Sequence, residues 1–317
     1  MIISASRRTD IPSFYSEWFM NRIREGFLLV PNPHNPKLLS RVRLDPAVVD
    51  CIVFWTKNAA PMIGKLDGLS DYKYYFQYTL NPYGKEIEEN LPPLTRRIET
   101  FKRLSDKLGR EKVVWRYDPL FTNQAYGVDY HKEKFAEIAE ALKDHTEKCM
   151  LGFIDHYYHI RKAVGALDIK PLEQDEIEEM ALSFKETAGG LSLGLDTCTV
   201  KVDLRPLGIP SGLCVDKALI ERIAGYSISA RKDKNQREIC NCIESIDIGT
   251  YESCLNGCIY CYAIKGNYRS ALSSSAKHDP HSPLLIGSPE ELGPDTVIKD
   301  REMKSLRTAQ QSLFPLK

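Results

Sequence analysis

Three cysteines near the end of the chain have the spacing of a metal-binding loop. Cys254, Cys258 and Cys261 read C-L-N-G-C-I-Y-C-Y, with three residues in the first gap and two in the second. Cysteine thiolates are the usual ligands of iron–sulfur clusters, and a [4Fe–4S] cluster takes four of them. A loop that supplies three leaves one iron free to bind a small molecule through an amino and a carboxylate group. We therefore expect a [4Fe–4S] cluster on these side chains.

Zinc is the main alternative to an iron–sulfur cluster as the metal that this loop would bind. Zinc also binds cysteines at short spacings, most often in pairs such as C-x2-C, and Cys240 and Cys242 lie a short way upstream. The spacing of the loop fits a cubane cluster better than the tetrahedral hairpin of a structural zinc site. A zinc site, and reduced thiols without a metal, stay open at this point.

The remaining cysteines fall into two sets. The chain has nine cysteines in all, an odd count that favours metal binding or reactive thiols over a disulfide framework. Cys51 and Cys149 fall inside predicted strands, where we expect them to be buried as small apolar side chains. The others lie in irregular segments and could hold a second cluster or a zinc: Cys198, Cys214, Cys240 and Cys242. Because their spacing is scattered, four thiols without a metal are the alternative.

Composition limits the partners of the chain. Its 317 residues include 43 basic and 43 acidic side chains, so no overall positive field attracts it to nucleic acid or a membrane surface. A local basic patch leaves nucleic acid open as a partner. The first residues are charged too early for a signal peptide, and no apolar run reaches the ~20 residues of a membrane-spanning helix. We expect a cytoplasmic protein.

Short apolar strands alternate with amphipathic helices over the first 200 residues. The predicted strands are Ile2–Ser6, Phe27–Val30, Cys51–Trp55, Tyr74–Thr79, Val113–Tyr117, Cys149–Ile154 and Leu193–Thr197. The predicted helices are Ser13–Glu25, Leu94–Leu108, Tyr130–Leu142 and Gln174–Thr187, and residues 32–44 predict a loop or a hairpin. This alternation predicts an α/β fold with a parallel sheet, either open or closed into a full or partial (β/α) barrel.

The second part of the chain predicts a less regular organisation. We expect a (β/α) barrel core over residues 1–239, with a helix near Asp216–Ile223. A cysteine-rich segment over residues 240–272 carries strand character at Ile243–Ile248 and would complete the barrel. The composition turns polar after Leu272, which predicts an extended tail over residues 273–317 with one short helix near residues 301–311. Disorder of this tail is the alternative.

The predicted strands end in unusually polar residues. Sites in parallel α/β folds form at the carboxyl ends of strands, so these residues are candidates for a common site. The candidates for catalysis are Arg7, Asp10, Lys57, Arg116 and Asp118, and those for cofactor binding are Arg8, Thr9, Asn58, Gln77 and Tyr260. Arginine matches carboxylates and phosphates bidentately. Structural ion pairs among the arginines and aspartates, and helix capping by Lys57 and Asn58, are the alternatives.

Several segments together resemble a known family. These are I-S-A-S-R-R-T-D-I-P, F-W-T-K-N, K-D-K-N-Q-R, D-I-G-T-Y-E-S-C-L-N-G-C-I-Y-C-Y-A and Q-Q-S-L-F. They resemble the bacterial and archaeal family named domain of unknown function 1848, over nearly the whole chain. This resemblance implies no activity, because the family is uncharacterised.

The cysteine loop alone resembles that of the radical S-adenosylmethionine (SAM) enzymes. This resemblance implies a [4Fe–4S] cluster, reductive cleavage of SAM, hydrogen abstraction by a deoxyadenosyl radical, and an electron donor such as a flavodoxin or ferredoxin. Tyr260 would shield the cluster. The substrate, a small molecule or another class, is open. The loop also resembles that of spore photoproduct lyase relatives, which suggests nucleic-acid repair, but the neutral charge gives this no support.

Two departures from the radical SAM pattern qualify the resemblance. The cluster loop of that superfamily usually follows the first barrel strand, whereas here it follows the last predicted strand. A circular permutation would explain this, with the strand ending at Asp247 as the first and Ile2–Ser6 as the second, and it places the loop beside Arg7 and Asp10. The G-G-E segment that helps to hold the SAM amino group is also missing, so Asp10 or Thr9 would replace it.

Two other functions are compatible with the same residues. A barrel hydrolase or isomerase with a structural zinc would use Lys57 and the Arg116–Asp118 pair as acid and base. A redox-sensing iron–sulfur protein would use the cluster without cleaving SAM. Iron content separates the first from the radical SAM prediction, and SAM cleavage separates the second.

Overall fold

A parallel sheet dominates the structure. The computed structural model describes residues 1–155, 157–169, 172–265 and 268–308. Its strands are β1 (Ile2–Ala5), β2 (Phe27–Asn32), β3 (Asn35–Arg43), β4 (Cys51–Thr56), β5 (Tyr74–Thr79), β6 (Val113–Leu120), β7 (Lys148–Phe153), β8 (Gly194–Thr197), β9 (Ile246–Asp247) and β10 (Val297–Asp300). Seven of them form one sheet in the order β8-β7-β6-β5-β4-β1-β9. All of its neighbouring strands run parallel, which confirms the predicted α/β class.

Helices connect the strands of this sheet. They are α1 (Ile11–Phe14), α2 (Ser16–Glu25), α3 (Ala60–Ile63), α4 (Leu94–Leu108), α5 (Val128–Leu142), α6 (Arg161–Ala166), α7 (Gln174–Gly190), α8 (Lys217–Ala224) and α9 (Tyr268–Ser275). Aromatic stacking joins sheet and helices, because Trp115 of β6 stacks on Phe135 of α5 at 4.9 Å, and Phe135 stacks on Phe184 of α7 at 4.2 Å. These rings are fully buried.

The two edges of the sheet are β8 and β9. In the part of the chain that the structure describes, no strand ladder joins them. Irregular segments pair with each edge instead. Gly212 donates a backbone hydrogen bond to Thr197 O at the end of β8 (2.8 Å), and Ile243, just before β9, donates to Val215 O (3.2 Å). The gap between the edges is therefore lined by loops that contact both.

A second, smaller sheet has the order β10-β3-β2. The predicted strand Phe27–Val30 belongs to it and not to the parallel series, because β2 pairs antiparallel with β3 as a hairpin. The chain leaves α2 through Gly26, whose φ of 78° lies in the left-handed region that favours glycine. Residues 32–44, predicted as a loop or a hairpin, form the second arm of this hairpin.

The polar segment after residue 272 packs on the fold. Trp18 Nε1 donates to Ser282 O (2.9 Å), Asn21 Nδ2 donates to Pro280 O (2.8 Å), and Leu284 and Leu285 are buried. The strand β10 then adds to β3 in parallel. Side chains of α2 thus fix this segment by donating hydrogen bonds to its backbone carbonyls.

The helix predicted near residues 301–311 is wrong over residues 301–308, which contain no helix. Backbone N–H groups of this stretch bind elsewhere in the fold: Leu306 N donates to Asp50 Oδ2 (2.7 Å), and Thr308 N donates to Ser227 O (3.0 Å). Donors used in this way are not available for a helical ladder. The remainder of the predicted helix lies outside the described residues.

No helix within the described ranges is both long enough and apolar enough to cross a lipid bilayer.

We expect the segment after residue 272 to stabilise the fold through Leu285. This side chain is 1% exposed, whereas Ile298 of the same segment is 43% exposed. Truncating a buried leucine costs about 2–5 kcal/mol, and an exposed substitution stays within about 0.5 kcal/mol. Leu285→Ala should therefore lower the urea midpoint of unfolding strongly, and Ile298→Ala should leave it unchanged. Equal midpoints for both variants would contradict this packing.

Candidate functional site

A cavity of about 570 Å³ lies at the carboxyl ends of the parallel strands. Each strand of the large sheet contributes residues from its end or from the turn that follows: Ser6, Trp55, Thr79, Asp118, Phe153, Cys198 and Asp247. Both sets of cysteines singled out above also line it, the loop set and the scattered set. The polar strand ends thus converge on one site, as the parallel alternation predicts.

The carboxylate of Asp247 holds the edge strand β9 against β1. It accepts hydrogen bonds from Ser4 Oγ (2.9 Å), Ser6 Oγ (2.5 Å) and the backbone N of Arg7 (2.8 Å). It also accepts one from the backbone N of Gly249 (3.0 Å), at the start of the segment that leads to the cysteine loop. A single side chain therefore sets both the register of β9 and the path of the chain after it.

The cysteine loop (residues 254–261) docks on the segment that follows β5. Cys258 forms an antiparallel bridge with Glu88, and Asn90 Nδ2 donates to Leu255 O (3.0 Å). Gly257 makes this approach feasible: its φ is +69°, and a Cβ there would lie 2.7 Å from Asn90 Nδ2. The glycine between the first two cysteines is thus required by the turn and by its neighbour.

Asp10 lies beneath the cysteine loop and is fully buried. Its Oδ1 accepts from Ser13 N (3.0 Å) and Thr56 Oγ1 (2.7 Å). Its Oδ2 accepts from Lys57 N (2.8 Å) and from Asn256 Nδ2 in the loop (3.0 Å). Burial raises the pKa of Asp10, although these hydrogen bonds oppose the shift. The carboxylate links the ends of β1 and β4 to the loop, so its role in the structure is to position them.

Tyr262, the residue directly after the loop, donates its hydroxyl hydrogen bond to Arg7 O. The cysteine loop therefore lies beside both Arg7 and Asp10, in the place that the permuted strand order predicts. The Arg7 guanidinium points away from this contact, towards Ser245 Oγ (2.9 Å) and Asp247 Oδ2 (3.8 Å).

A buried charge network supports the last part of the loop. Lys57 Nζ donates to Glu88 Oε1 (2.7 Å) and to the Tyr260 hydroxyl (2.8 Å), and Tyr260 donates to Glu88. Arg97 Nη1 donates to the other oxygen of Glu88 (3.2 Å). Burial alone would raise the pKa of Glu88, but the charges of Lys57 and Arg97 lower it below its usual value. Tyr260 is thereby fixed between two cysteines.

The three loop cysteines are half-buried at the wall of this cavity. Burial raises the pKa of Cys258 to about 12, and it also raises the pKa of Cys254 and Cys261. Two polar atoms of lining residues have no hydrogen-bond partner within the described ranges: Thr9 Oγ1 and Asn256 Oδ1. Buried oxygens without partners are costly, so a bound group that donates hydrogen bonds would fit here.

An aromatic ring between two arginines lines another part of the cavity. The guanidinium carbon of Arg7 lies 5.7 Å from the centre of the Trp55 ring, and that of Arg116 lies 5.3 Å from it. Arg116 also pairs with Asp118. Both arginines thus hold positive charge at the cavity, in contact with the π face of one indole.

The scattered cysteines come together next to Arg116. Cys198 Sγ lies 2.9 Å from Cys214 Sγ, and Arg116 Nη1 donates to Cys214 Sγ (2.7 Å). The Cys242 sulfur accepts from the backbone N of Cys214 (3.3 Å) and hydrogen-bonds to the Cys240 thiol. The hydrogen bond from Cys214 lowers the pKa of Cys198 to about 7. In the described ranges, no set of such side chains is arranged around a common point as a single-ion site.

The structure does not bring every predicted residue to the cavity. Asn58 accepts from the backbone N of Ala60 (3.2 Å) but does not cap α3, whose N-cap is Ala59, and it does not line the cavity. Gln77 donates to Cys214 O (2.9 Å) behind the lining residues. Arg8 lines the cavity with its guanidinium carbon 5.1 Å from the centre of the Tyr251 ring, and it reaches Gly249 O at 3.5 Å.

Residues that sequence reasoning missed supply much of the site. Glu88 is one of three glutamates in G-K-E-I-E-E-N, and its spacing does not distinguish it from the other two. Asn256 stands inside the cysteine loop, which could have indicated a role. Asp247 was recognised as a strand end, but not as an acceptor of several hydrogen bonds.

A family model described as "Domain of unknown function (DUF1848)" matches residues 2–263, which confirms the family resemblance stated from the sequence. A search of curated proteins and a search of solved structures each found no match. The likeness of the loop to the radical SAM enzymes stays a prediction.

We expect Glu88→Gln to destabilise the protein, because it leaves Lys57 and Arg97 buried without the carboxylate that both contact. Breaking a buried ion pair on one side costs about 3–5 kcal/mol. The matched control is Glu89→Gln, which changes an exposed neighbour and should stay within about 0.5 kcal/mol. Chemical unfolding at neutral pH measures both, and similar midpoints would contradict the network.

The same variants should differ in acid. The folded-state pKa of Glu88 lies below its usual value of 4.5, so its stabilisation is present above that pH and is lost as pH falls through the folded-state pKa. Wild type and Glu89→Gln should lose stability on acidification below pH 4.5 more steeply than Glu88→Gln. Parallel pH profiles for all three proteins would contradict a lowered pKa at Glu88.

Proposed function

The chain belongs to the DUF1848 family, and we propose that it is an iron–sulfur enzyme of radical SAM type, built on a circularly permuted partial barrel. One observation carries this proposal. The cysteine loop follows β9, and β9 lies next to β1 at the edge of a sheet whose other strands are in chain order. In the spatial order of the sheet β9 is the first strand, and the resemblance to the radical SAM enzymes predicts that the cluster loop follows the first strand.

The donor set of the loop fits a cluster. Cys254, Cys258 and Cys261 are half-buried and line the cavity, and thiolates are soft ligands that favour iron–sulfur clusters or zinc over hard cations. When bound, a [4Fe–4S] cluster and SAM would supply the radical chemistry. Lys57 lies close enough to Cys258 to oppose the rise in the pKa of its thiol. Tyr260, held by Lys57 and Glu88, would cover the cluster from the side of β5.

The cavity also offers groups for the amino-acid part of SAM. Thr9 Oγ1 and Asn256 Oδ1 are buried oxygens that can accept hydrogen bonds from an amino group, which compensates for the missing G-G-E segment. Arg8 lies 3.9 Å from Asp247 Oδ1 and reaches one backbone oxygen at 3.5 Å, and its guanidinium can also pair with the carboxylate of a ligand. Asp10 uses both oxygens in four hydrogen bonds, so we assign it to positioning the loop.

The remaining part of the cavity would receive the substrate. Arg116 and Asp118 form an ion pair there, and Asp155 also lines the cavity. A mixed set of charges fits a polar substrate better than an apolar one. The electron donor, a flavodoxin or ferredoxin, and the identity of the substrate stay predictions.

The proposal is tested by iron, sulfide and SAM cleavage. Protein purified and reconstituted without oxygen should contain at least about four irons per chain, the content of one [4Fe–4S] cluster. With dithionite and SAM it should release 5′-deoxyadenosine and methionine, measured by mass spectrometry. Cys254→Ala, Cys258→Ala and Cys261→Ala should each remove this activity, and the triple variant should lose about four irons.

Cys149→Ala is the matched control, because Cys149 is buried in β7 outside the cavity lining. It should keep the iron and the activity of wild type. Zinc in place of iron at the loop would contradict the proposal and favour a barrel hydrolase with a structural zinc. Iron at the loop without SAM cleavage would favour a redox-sensing protein.

A further inference from the structure

Four cysteines that are far apart in the sequence meet beside the candidate site. Cys198 follows β8, Cys214 precedes α8, and Cys240 and Cys242 precede β9. We propose that Cys198, Cys214, Cys240 and Cys242 hold a second thiolate-bound metal centre, separate from the one on the cysteine loop. This inference does not depend on the proposed radical SAM activity.

The sulfur atoms form one continuous group. Cys198 Sγ lies 2.9 Å from Cys214 Sγ, and Cys214, Cys240 and Cys242 are buried in one cluster against which Cys198 packs. Four cysteines are the full ligand set of a structural zinc or of an iron–sulfur cluster. All of them line the same cavity, which gives a metal ion a path of entry.

Hydrogen-bond donors contact two of these sulfurs. Arg116 donates a charged hydrogen bond to Cys214 Sγ (2.7 Å). The Cys242 sulfur accepts from the backbone N of Cys214 (3.3 Å) and of Val215 (3.4 Å). Hydrogen bonds of this kind stabilise thiolates, the form that binds metals.

The sulfurs would have to separate before they bind a metal. In a tetrahedral zinc site with Zn–S bonds of about 2.3 Å, the sulfurs are about 3.8 Å apart, whereas Cys198 and Cys214 are 2.9 Å apart. In the described residues the four sulfurs are not arranged around a common point as a single-ion site, so binding a single ion would require these side chains to move. A cluster would need a wider separation.

A metal centre here would also join the two edges of the large sheet. Cys198 belongs to the β8 edge, whereas Cys242 lies next to Ile243, which pairs with Val215 and leads into β9. The segments that fill this gap are irregular and contribute few regular hydrogen bonds. Metal ligation across them would fix the gap and thereby the position of β9.

The decisive experiment uses the Cys254→Ala/Cys258→Ala/Cys261→Ala variant, which lacks the loop site. We expect it to retain either about one zinc or about four irons per chain, measured by mass spectrometry after anaerobic purification. X-ray absorption at the edge of that metal should show about four sulfur ligands near 2.3 Å for zinc. A folded triple variant without bound metal would overturn the proposal.

The reciprocal variant separates this site from the proposed function. Cys240→Ser/Cys242→Ser should lose the metal that the triple variant retains and should keep the iron of the loop, with Cys149→Ala again as the control. Failure of the loop cluster alone would sink the proposed function and leave this inference standing. A Cys198–Cys214 disulfide found by peptide mapping of anaerobically purified protein, together with an unchanged metal content in Cys240→Ser/Cys242→Ser, would overturn it.

Discussion

The candidate site depends on how a two-residue strand is held at the edge of a sheet. β9 shares only two paired positions with β1, too few for backbone hydrogen bonds alone to fix its register. The Asp247 carboxylate supplies the rest by accepting from two serine hydroxyls and two backbone N–H groups. Hydrogen bonds to a charged group contribute about 1.5–3 kcal/mol each, so this one side chain ties the late part of the chain to its beginning. The cysteine loop starts seven residues later and takes its position from this attachment.

A second constraint is the cost of burying charge under the loop. Glu88 is shared by Lys57, Arg97 and Tyr260; Glu88, Arg97 and Tyr260 are buried, and the Lys57 side chain is 14% exposed. Such a network adds little net stability, because desolvation offsets much of the attraction, but it is intolerant of losing one member. The network determines positions instead: it fixes Tyr260 between Cys258 and Cys261, and it brings the ends of β5 and β4 to the same point. Asp10 does the same for β1, β4 and Asn256 with a single carboxylate.

The sequence predicts the helices and strands of this protein better than it predicts which residues contact each other across the fold. Strands and helices with clear periodicity, such as Leu94–Leu108, appear within the expected bounds, and the parallel order follows from their alternation. Phe27–Val30 has the same composition as the parallel strands, and only its antiparallel pairing with β3 separates it from them. Glu88 and the convergence of Cys198 with Cys214 result from long-range contacts, which local patterns do not encode. The stretch from Arg301 lacks its predicted helix because its backbone donors bind distant acceptors.

Both groups of cysteines have cationic side chains close to their sulfurs. Burial raises the pKa of the three loop thiols, so their thiolate form needs cations nearby at fixed positions. Lys57 lies near Cys258, and Arg116 contacts Cys214. Arg7 and Arg116 share the face of Trp55, whose Nε1 donates to Ser4 Oγ (3.1 Å), and Ser4 in turn donates to Asp247. The side chain that fixes β9 therefore also fixes, through Ser4 and Trp55, the two arginines that contact the Trp55 ring. The position of the loop and the charge around the second cysteine group are consequently set by the same contacts.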